Sequence, residues 1–339
     1  MNYKVNQLNK KNINNFFNLL KKYNSKHQFL RDKPFFKWQY FNKNNYNGYI
    51  FSKGKSFSAF QLYIPYNNYD LGLSKKDIFL TNFYSLGVHL AAGYVVFKMI
   101  LKKLLPNFIG SSGIWSKNLI KYHQKLGFRT GNMNHFVMVS PFRKIFKIMI
   151  KKNKNKKNIK KISLKFKKDY FDYKIINKKN IFKFSHKIKF GFVPFKSIEY
   201  INNRYLKHPV FNYKVFCFSK KNNLIKSIIV FRVLKYKSSS IIKIVEFFGE
   251  NKYFADYKKL FLFLLKKHKS EYISFYNFGI EKKIIKKSGF ILINKNIEVY
   301  PSLFNPLIKR NVVLNYAYIN SYSKTVRLFL GDGDRDRPN

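Results

Sequence analysis

The chain has 339 residues, enough for two domains of ordinary size, and its 46% hydrophobic content excludes a disordered protein. Its one cysteine, Cys217, excludes an internal disulfide framework and a cysteine-histidine metal cluster, and fits a reducing compartment. A formal charge of +53 points first to nucleic acid or an anionic surface, but the excess is nearly all lysine, comes with abundant Asn, Ile, Phe and Tyr, and is spread along the chain. That is the signature of an AT-rich coding bias over a solvated lysine surface. It gives weight to the nine arginines, whose planar forks bind carboxylate or phosphate in a way lysine does not copy.

The N-terminus, MNYKVNQLNKKN, lacks the apolar core of a signal peptide. Asn12 to Tyr23 carries a helical stripe of Ile13, Phe16, Phe17, Leu19 and Leu20, and Phe35 to Tyr40 reads as a short helix after Pro34. Tyr49 to Phe51 and Phe57 to Ile64 alternate as hairpin strands about Lys53-Gly54-Lys55. A buried strand then runs from Ile78 to Val88, followed by the small-residue turn Leu90-Ala91-Ala92-Gly93 and a long apolar helix. Such a turn aims the free N–H groups and positive end of a helix at whatever lies beyond the strand, where an anionic phosphate fits, and Gly93 is free to take a positive φ. The apolar run from Leu86 to Leu105 is interrupted by His89 and Lys98, so a membrane-spanning helix is not expected and a cytosolic protein is.

Phe108 to Ile114 reads as a strand, Ser116 to Leu126 as a helix closed by Gly127, and His135 to Val139 as the last strand of the first half. From Arg143 the chain turns lysine- and asparagine-rich and cannot build a core, so it reads as a linker or exposed helix. The order of elements then repeats. Phe195 to Tyr205 is helical, and Tyr213 to Phe218, Ser227 to Leu234 and Ile241 to Phe248 are strands. Tyr253 to Lys267 is a helix, Tyr272 to Tyr276 a strand, and Glu281 to Lys287 a helix closed by Ser288-Gly289-Phe290. This internal duplication divides the chain into a first domain at 1–142, a linker at 143–165 and a second domain at 166–339.

Lys125-Leu126-Gly127-Phe128 and its echo Lys287-Ser288-Gly289-Phe290 resemble the turn that ends the last helix of GCN5-related N-acetyltransferases (GNATs). Val88 to Gly93 falls where that family carries its pyrophosphate loop, with Val88 in place of Arg or Gln and Ala91 in place of the first glycine. The second half, with Phe192-Val193-Pro194 and Ile201 to Pro209, resembles tandem GNAT-like proteins encoded among surface-polysaccharide genes. The resemblance covers nearly the whole chain outside the linker. It implies an α+β fold of two tandem GNAT-like domains, each a mixed, mostly antiparallel sheet flanked by helices. It also implies an acyltransferase using acetyl-CoA or another acyl-CoA, with Leu90, Ala91, Ala92, Gly93, Tyr94 and Asn118 around the cofactor.

Such an enzyme needs no covalent nucleophile, because holding acyl donor and amine together can supply roughly 7–11 kcal/mol of barrier lowering. Glu246, flanked by Val245 and Phe247, would have a raised pKa if buried and suit a general base; otherwise it is a surface acid paired with a lysine. The family's acid is a tyrosine four residues before the terminal glycine. Here that position is His123, with Tyr122 one residue off register, and His123 could protonate a leaving thiolate. Arg204 and His208, one turn apart beside Tyr205, could hold the phosphates of a nucleotide sugar, or could cap a helix stopped by Pro209. Trp38 and Tyr40 could line a sugar cleft or pack in the core. Asp332, Asp334 and Arg335, in a tail of unusual composition, could close a substrate pocket. The expected acceptor is an amino sugar, nucleotide-linked, in surface-glycan synthesis. Two rivals stand beside it: a tRNA-dependent aminoacyl or peptidyl transferase of paired GNAT-like fold, and a non-catalytic binding module.

Overall fold

The computed structural model describes residues 3–54, 56–86, 91–114, 117–151, 173–184, 191–220, 224–294, 298–304, 307–333 and 336. The first half runs β1 (Tyr3–Asn9), α1 (Ile13–Tyr23), α2 (Gln28–Arg31), α3 (Lys33–Tyr40), β2 (Phe41–Asn42), β3 (Asn45–Lys53), β4 (Ser56–Pro65) and β5 (Asp77–Ser85). It continues through α4 (Ala92–Leu104), β6 (Phe108–Ile114), α5 (Lys117–Lys125), β7 (Arg129–Asn132), β8 (Asn134–Val139) and β9 (Ile150–Lys151). The second half runs β10 (Tyr173–Ile176), α6 (Ile198–Ile201), β11 (Lys214–Lys220), β12 (Leu224–Tyr236), β13 (Ser239–Gly249), α7 (Lys258–Lys267) and β14 (Ser270–Phe278). It ends with α8 (Lys282–Lys287), β15 (Ile291–Leu292), β16 (Glu298–Val299), β17 (Asn315–Asn320) and β18 (Leu328–Phe329).

These elements build two mixed sheets flanked by helices, the expected α+β class. The first has the order β1-β3-β4-β5-β6-β17-β7 and the second β10-β11-β12-β13-β14-β8-β15. Both are antiparallel except at one pair each, β5 with β6 and β13 with β14, which are parallel because a helix crosses between them. The duplication therefore holds strand for strand at the centre of each half. Gly127 at φ +83° and Gly289 at φ +95° close α5 and α8 in the left-handed conformation that a C-terminal helix cap favours.

The sequence gives no sign of what the two halves exchange. β8, expected to finish the first half, pairs with β14 in the second sheet, from Asn134 opposite Asn277 to Val139 opposite Tyr272. In return β17, from the far end of the chain, fills the equivalent place between β6 and β7 of the first sheet. The segment after Arg143 begins as packed chain. Ile148 and Met149 are buried, and the Glu271 carboxylate accepts hydrogen bonds from the backbone N–H groups of Lys147, Ile148 and Met149.

Apolar side chains form one core on the outer face of each sheet. α4 covers the first through Val96, Phe97 and Ile100, and α7 covers the second through Leu260, Phe261 and Leu265. A third core, rich in aromatic rings, joins the two sheets: Phe16, Tyr40, Tyr66, Tyr200, Tyr205, Val245 and Leu330 belong to it. The helix expected at Phe195 to Tyr205 is shorter, four residues of α6 followed by one wider π turn from Asn202 to Leu206.

Candidate functional site

The parallel pairing of β5 with β6 covers only Asp77 to Leu80 opposite Phe108 to Ser111. Beyond it the strands part, and a cavity of about 490 Å³ opens, lined by Thr81, Asn82 and Phe83 on one side and Ser112, Gly113 and Ile114 on the other. A bulge marks the parting point. Gln61 of β4 faces Phe83 and the next residue, Leu62, faces Thr81, so Asn82 is the extra residue, with φ at +40°. Tyr40 holds this bulge: its buried hydroxyl pairs with Thr81 Oγ1 at 2.9 Å and accepts from Asn82 Nδ2 at 2.9 Å. Tyr40 thus serves as a core support of the strand, not as a wall of a sugar cleft.

The helix α5 supplies Asn118, Leu119, Tyr122 and His123 to the cavity. Asn118 and Tyr122 lie one turn apart on the same face, and the Tyr122 ring approaches that of Tyr94 on α4 at 6.4 Å. His123 is buried, edge-on to Phe97 and Phe128. Its Nδ1 lies 2.7 Å from the Leu119 carbonyl oxygen, which can only accept, so Nδ1 carries the proton and Nε2 the lone pair. Nε2 has no hydrogen-bond partner among the described residues. Burial lowers the pKa of this imidazole, against the opposing effect of the Leu119 bond. A neutral histidine of this tautomer accepts a proton; the expected role of proton donor to a thiolate would require a charged ring that burial disfavours.

At the start of α4 the left-handed residue is Ala91, at φ +65°, and not Gly93. Gly93 sits inside the helix, where a Cβ would lie within 3.0 Å of Phe83 Cε2 and 3.3 Å of Ser85 Cβ. Its requirement is close approach of α4 to β5. Ala92 is buried beside it, and Leu90 lies outside the described residues.

In the second sheet the corresponding parting of β13 from β14 is filled. Parallel pairing ends at Ile244 opposite Phe275, and β18 then pairs with Asn277 and Phe278 of β14. A Cβ on Gly331 would come within 3.0 Å of the Val245 carbonyl. Glu246 is fully buried in this filled cleft and does not line the cavity. Its Oε2 lies 2.7 Å from Lys196 Nζ and accepts from Tyr205 OH at 3.0 Å. Lys196 also reaches Asp332 Oδ1 at 2.5 Å, and Asp332 accepts from Tyr66 OH and from the backbone N–H of Phe329. Burial raises the Glu246 pKa to about 7, with Lys196 pulling it down and Asp332 pushing it up. The expected base and the expected pocket-closing aspartate are instead partners in an ion cluster that pins the C-terminal segment.

The set of Arg204, Tyr205 and His208 is also interior. Arg204 donates to Tyr69 OH at 2.6 Å and to the Gly333 carbonyl, and its guanidinium lies over the rings of Tyr69 and Trp38. His208 Nδ1 accepts from the backbone N–H groups of Val210 and Phe211, and burial pushes its pKa down to about 2. Neither is presented to a phosphate. Trp38, half-buried against Arg204 and His208, packs between the halves. Asp334 and Arg335 lie outside the described residues.

The cavity extends past the first sheet to residues no motif indicated: Lys243 of β13, Tyr276 of β14, Ser302, Leu303, Leu314 and Leu330. A lysine among so many gives no sequence signal. Among the described residues no group of three or more His, Cys, Asp and Glu side chains could hold a metal ion, and no helix is long and apolar enough to cross a membrane.

No family model and no curated protein sequence matches the chain. Solved structures do. A GCN5-related N-acetyltransferase from Anabaena variabilis superposes with TM-score 0.54 at 10% identity, covering 95% of this chain and 73% of that one. A conserved protein from Enterococcus faecalis, described as a probable N-acyltransferase, gives 0.53 at 9% identity over 93% and 72%. Saccharomyces cerevisiae N-myristoyltransferase, with bound myristoyl-CoA and inhibitors, gives 0.50 at 11% identity over 94% and 80%. At these identities the likeness is one of architecture, and the architecture is that of two tandem GNAT-like domains.

Proposed function

We propose that the protein is an acyl-CoA-dependent N-acyltransferase whose working cleft is the parting of β5 and β6. The observation that carries this reading is the asymmetry of the two halves. The first cleft is open and edged by a bulge on β5, whose Phe83 packs against Gly93 at the start of α4, while the second is filled by its own chain. Acyl-CoA chemistry suits the open one. The N-terminal turn of α4, thirteen residues long, faces a pyrophosphate with its free N–H groups and positive dipole end. The backbone at the Asn82 bulge polarises the thioester carbonyl, the acceptor amine attacks that carbon directly, and the C–S bond then breaks to release CoA thiolate, which takes up the proton that His123 receives from the amine. His123 Nε2 takes the proton of the attacking amine, directly or through a water. Tyr122 and Asn118, on the same face of α5, flank the thioester sulfur.

The acceptor in this proposal is an amino sugar, nucleotide-linked, in a cytoplasmic step of surface-glycan assembly; the resemblance to tandem GNAT-like proteins of that setting supports it. Acetyl-CoA is the first donor to try. Isothermal titration with acetyl-CoA is expected to show saturable binding, and release of CoA thiol is expected when an amino sugar is added. Absence of heat at millimolar acetyl-CoA and at millimolar longer acyl-CoA overturns the proposal.

A further inference from the structure

Lys243 lines the cavity, and among the described residues too little negative charge surrounds it. Arg232 and Asp336 form a closed pair: Arg232 Nε lies 2.7 Å from Oδ2, and Nη2 donates to Oδ1 at 3.0 Å and to the Asp336 carbonyl. A fork engaged in this way uses the single charge of the carboxylate. Lys243, opposite Arg232 on the neighbouring strand, reaches the same Oδ1 only at 3.4 Å. The three groups together hold two positive charges and one negative, all at most 9% exposed, and Lys243 lines the cavity.

A buried ammonium without its own counterion is costly. Burial lowers the Lys243 pKa and Arg232 adds to the effect, while Asp336 opposes it. Lys243 has no polar partner other than Asp336 among the described residues. The same cavity is lined by Tyr276 and Ser302, whose hydroxyls pair at 3.4 Å, and by the apolar Leu303, Leu314 and Leu330. A hydroxyl donates to an anion but does not neutralise an ammonium.

We propose that Lys243 marks an anion subsite, and that the acceptor amine carries a phosphate or carboxylate that docks there while its amine points toward His123. The inference rests on the first cleft being the acyl-transfer site, and it narrows the acceptor class from amines in general to anionic ones.

The test titrates the full-length protein with glucosamine, glucosamine 6-phosphate and a carboxylated amino sugar, muramic acid, and repeats each titration with Lys243→Met and Lys243→Arg. The expected result is that at least one anionic amine binds more tightly than glucosamine, and that Lys243→Met weakens it by roughly ten- to hundred-fold, the size of a charge-assisted bond. Lys243→Arg is expected to retain most of it, and glucosamine is expected to be indifferent to both changes. Which anionic amine prevails separates phosphate from carboxylate. Binding of acetyl-CoA and of a longer acyl-CoA is measured on the same samples: absence of both in the parent protein refutes the acyltransferase reading, while Lys243-dependent binding of an anionic amine still supports the subsite. Equal binding of neutral and anionic amines, no binding of either anionic amine at millimolar concentration, or equal loss of all ligands in Lys243→Met overturns the subsite. Lys243→Met keeps the volume and removes a buried charge, and circular dichroism of both variants establishes that they fold.

Discussion

His123 shows how much one side chain's role depends on what its neighbours accept. Its place four residues before Gly127 is legible in the sequence, and so is its presence on a helix. Its tautomer is not, because that is set by the Leu119 carbonyl at 2.7 Å, and its charge state is set by burial against Phe97 and Phe128. The histidine read as a donor is therefore built as an acceptor. Since the folded pKa lies below the ordinary value of 6.5, the neutral form persists to lower pH, and the acid limb of the kcat/KM profile is expected below 6.5. His123→Gln is expected to lower kcat by about 10²-fold or more, and to remove that limb, without weakening acetyl-CoA binding. A limb that survives in His123→Gln refutes the assignment. Glu246 teaches the converse. Its apolar flanks left burial and exposure both open, and the partners that decide its role, Lys196 and Asp332, lie 50 and 86 positions away, where no local pattern points to them.

At the scale of elements, the strand, turn and helix around Gly93 were legible because period-2 and period-3.6 patterns are local. The reason for the glycine was not. Contact with the Phe83 ring and Ser85 is a property of how α4 lies on β5, and only the packed structure displays it. A methyl group there must displace an aromatic ring that also lines the cavity. Gly93→Ala is expected to destabilise the fold by about 1–3 kcal/mol, as overpacking usually does, and denaturant unfolding checks it. The same substitution at a position needed only for phosphate approach would leave stability unchanged and weaken acyl-CoA alone. The helix expected at Phe195 to Tyr205 is present but starts later and ends in a π turn, which its helical composition does not announce. Its last turn widens where Asn202, Arg204 and Tyr205 are drawn into the core between the sheets.

Across the whole molecule, the ion cluster of Lys196, Glu246 and Asp332 fixes the C-terminal segment in the second cleft. Removing Lys196 leaves two buried carboxylates facing each other, and Lys196→Met is expected to cost about 3–5 kcal/mol. The pH dependence has a definite sign. Glu246 ionises near 4.5 when unfolded and near 7 when folded, so between those values the folded state holds the extra proton, and the group's contribution to stability falls as pH rises through that window. Glu246→Gln is expected to flatten that part of the stability profile, measured by urea unfolding from pH 4.5 to 8. A profile that keeps its slope in Glu246→Gln places the titration elsewhere. The class of fold and the duplication were visible in one chain because each half repeats its own local code. The partnering of strands 134–139 and 315–320 was invisible because pairing between distant strands leaves no periodic trace.

That partnering also alters what kind of object the protein is. A duplicated chain suggests two beads on a string, each able to melt, evolve or be lost alone. With β8 lent forward and β17 lent back, each sheet is missing an interior rung without the other half's contribution, so the two halves behave as a clasp whose jaws each hold the other's pin. Damage to either jaw is felt in both, and an open first cleft can be kept in shape by a second that has given up its own.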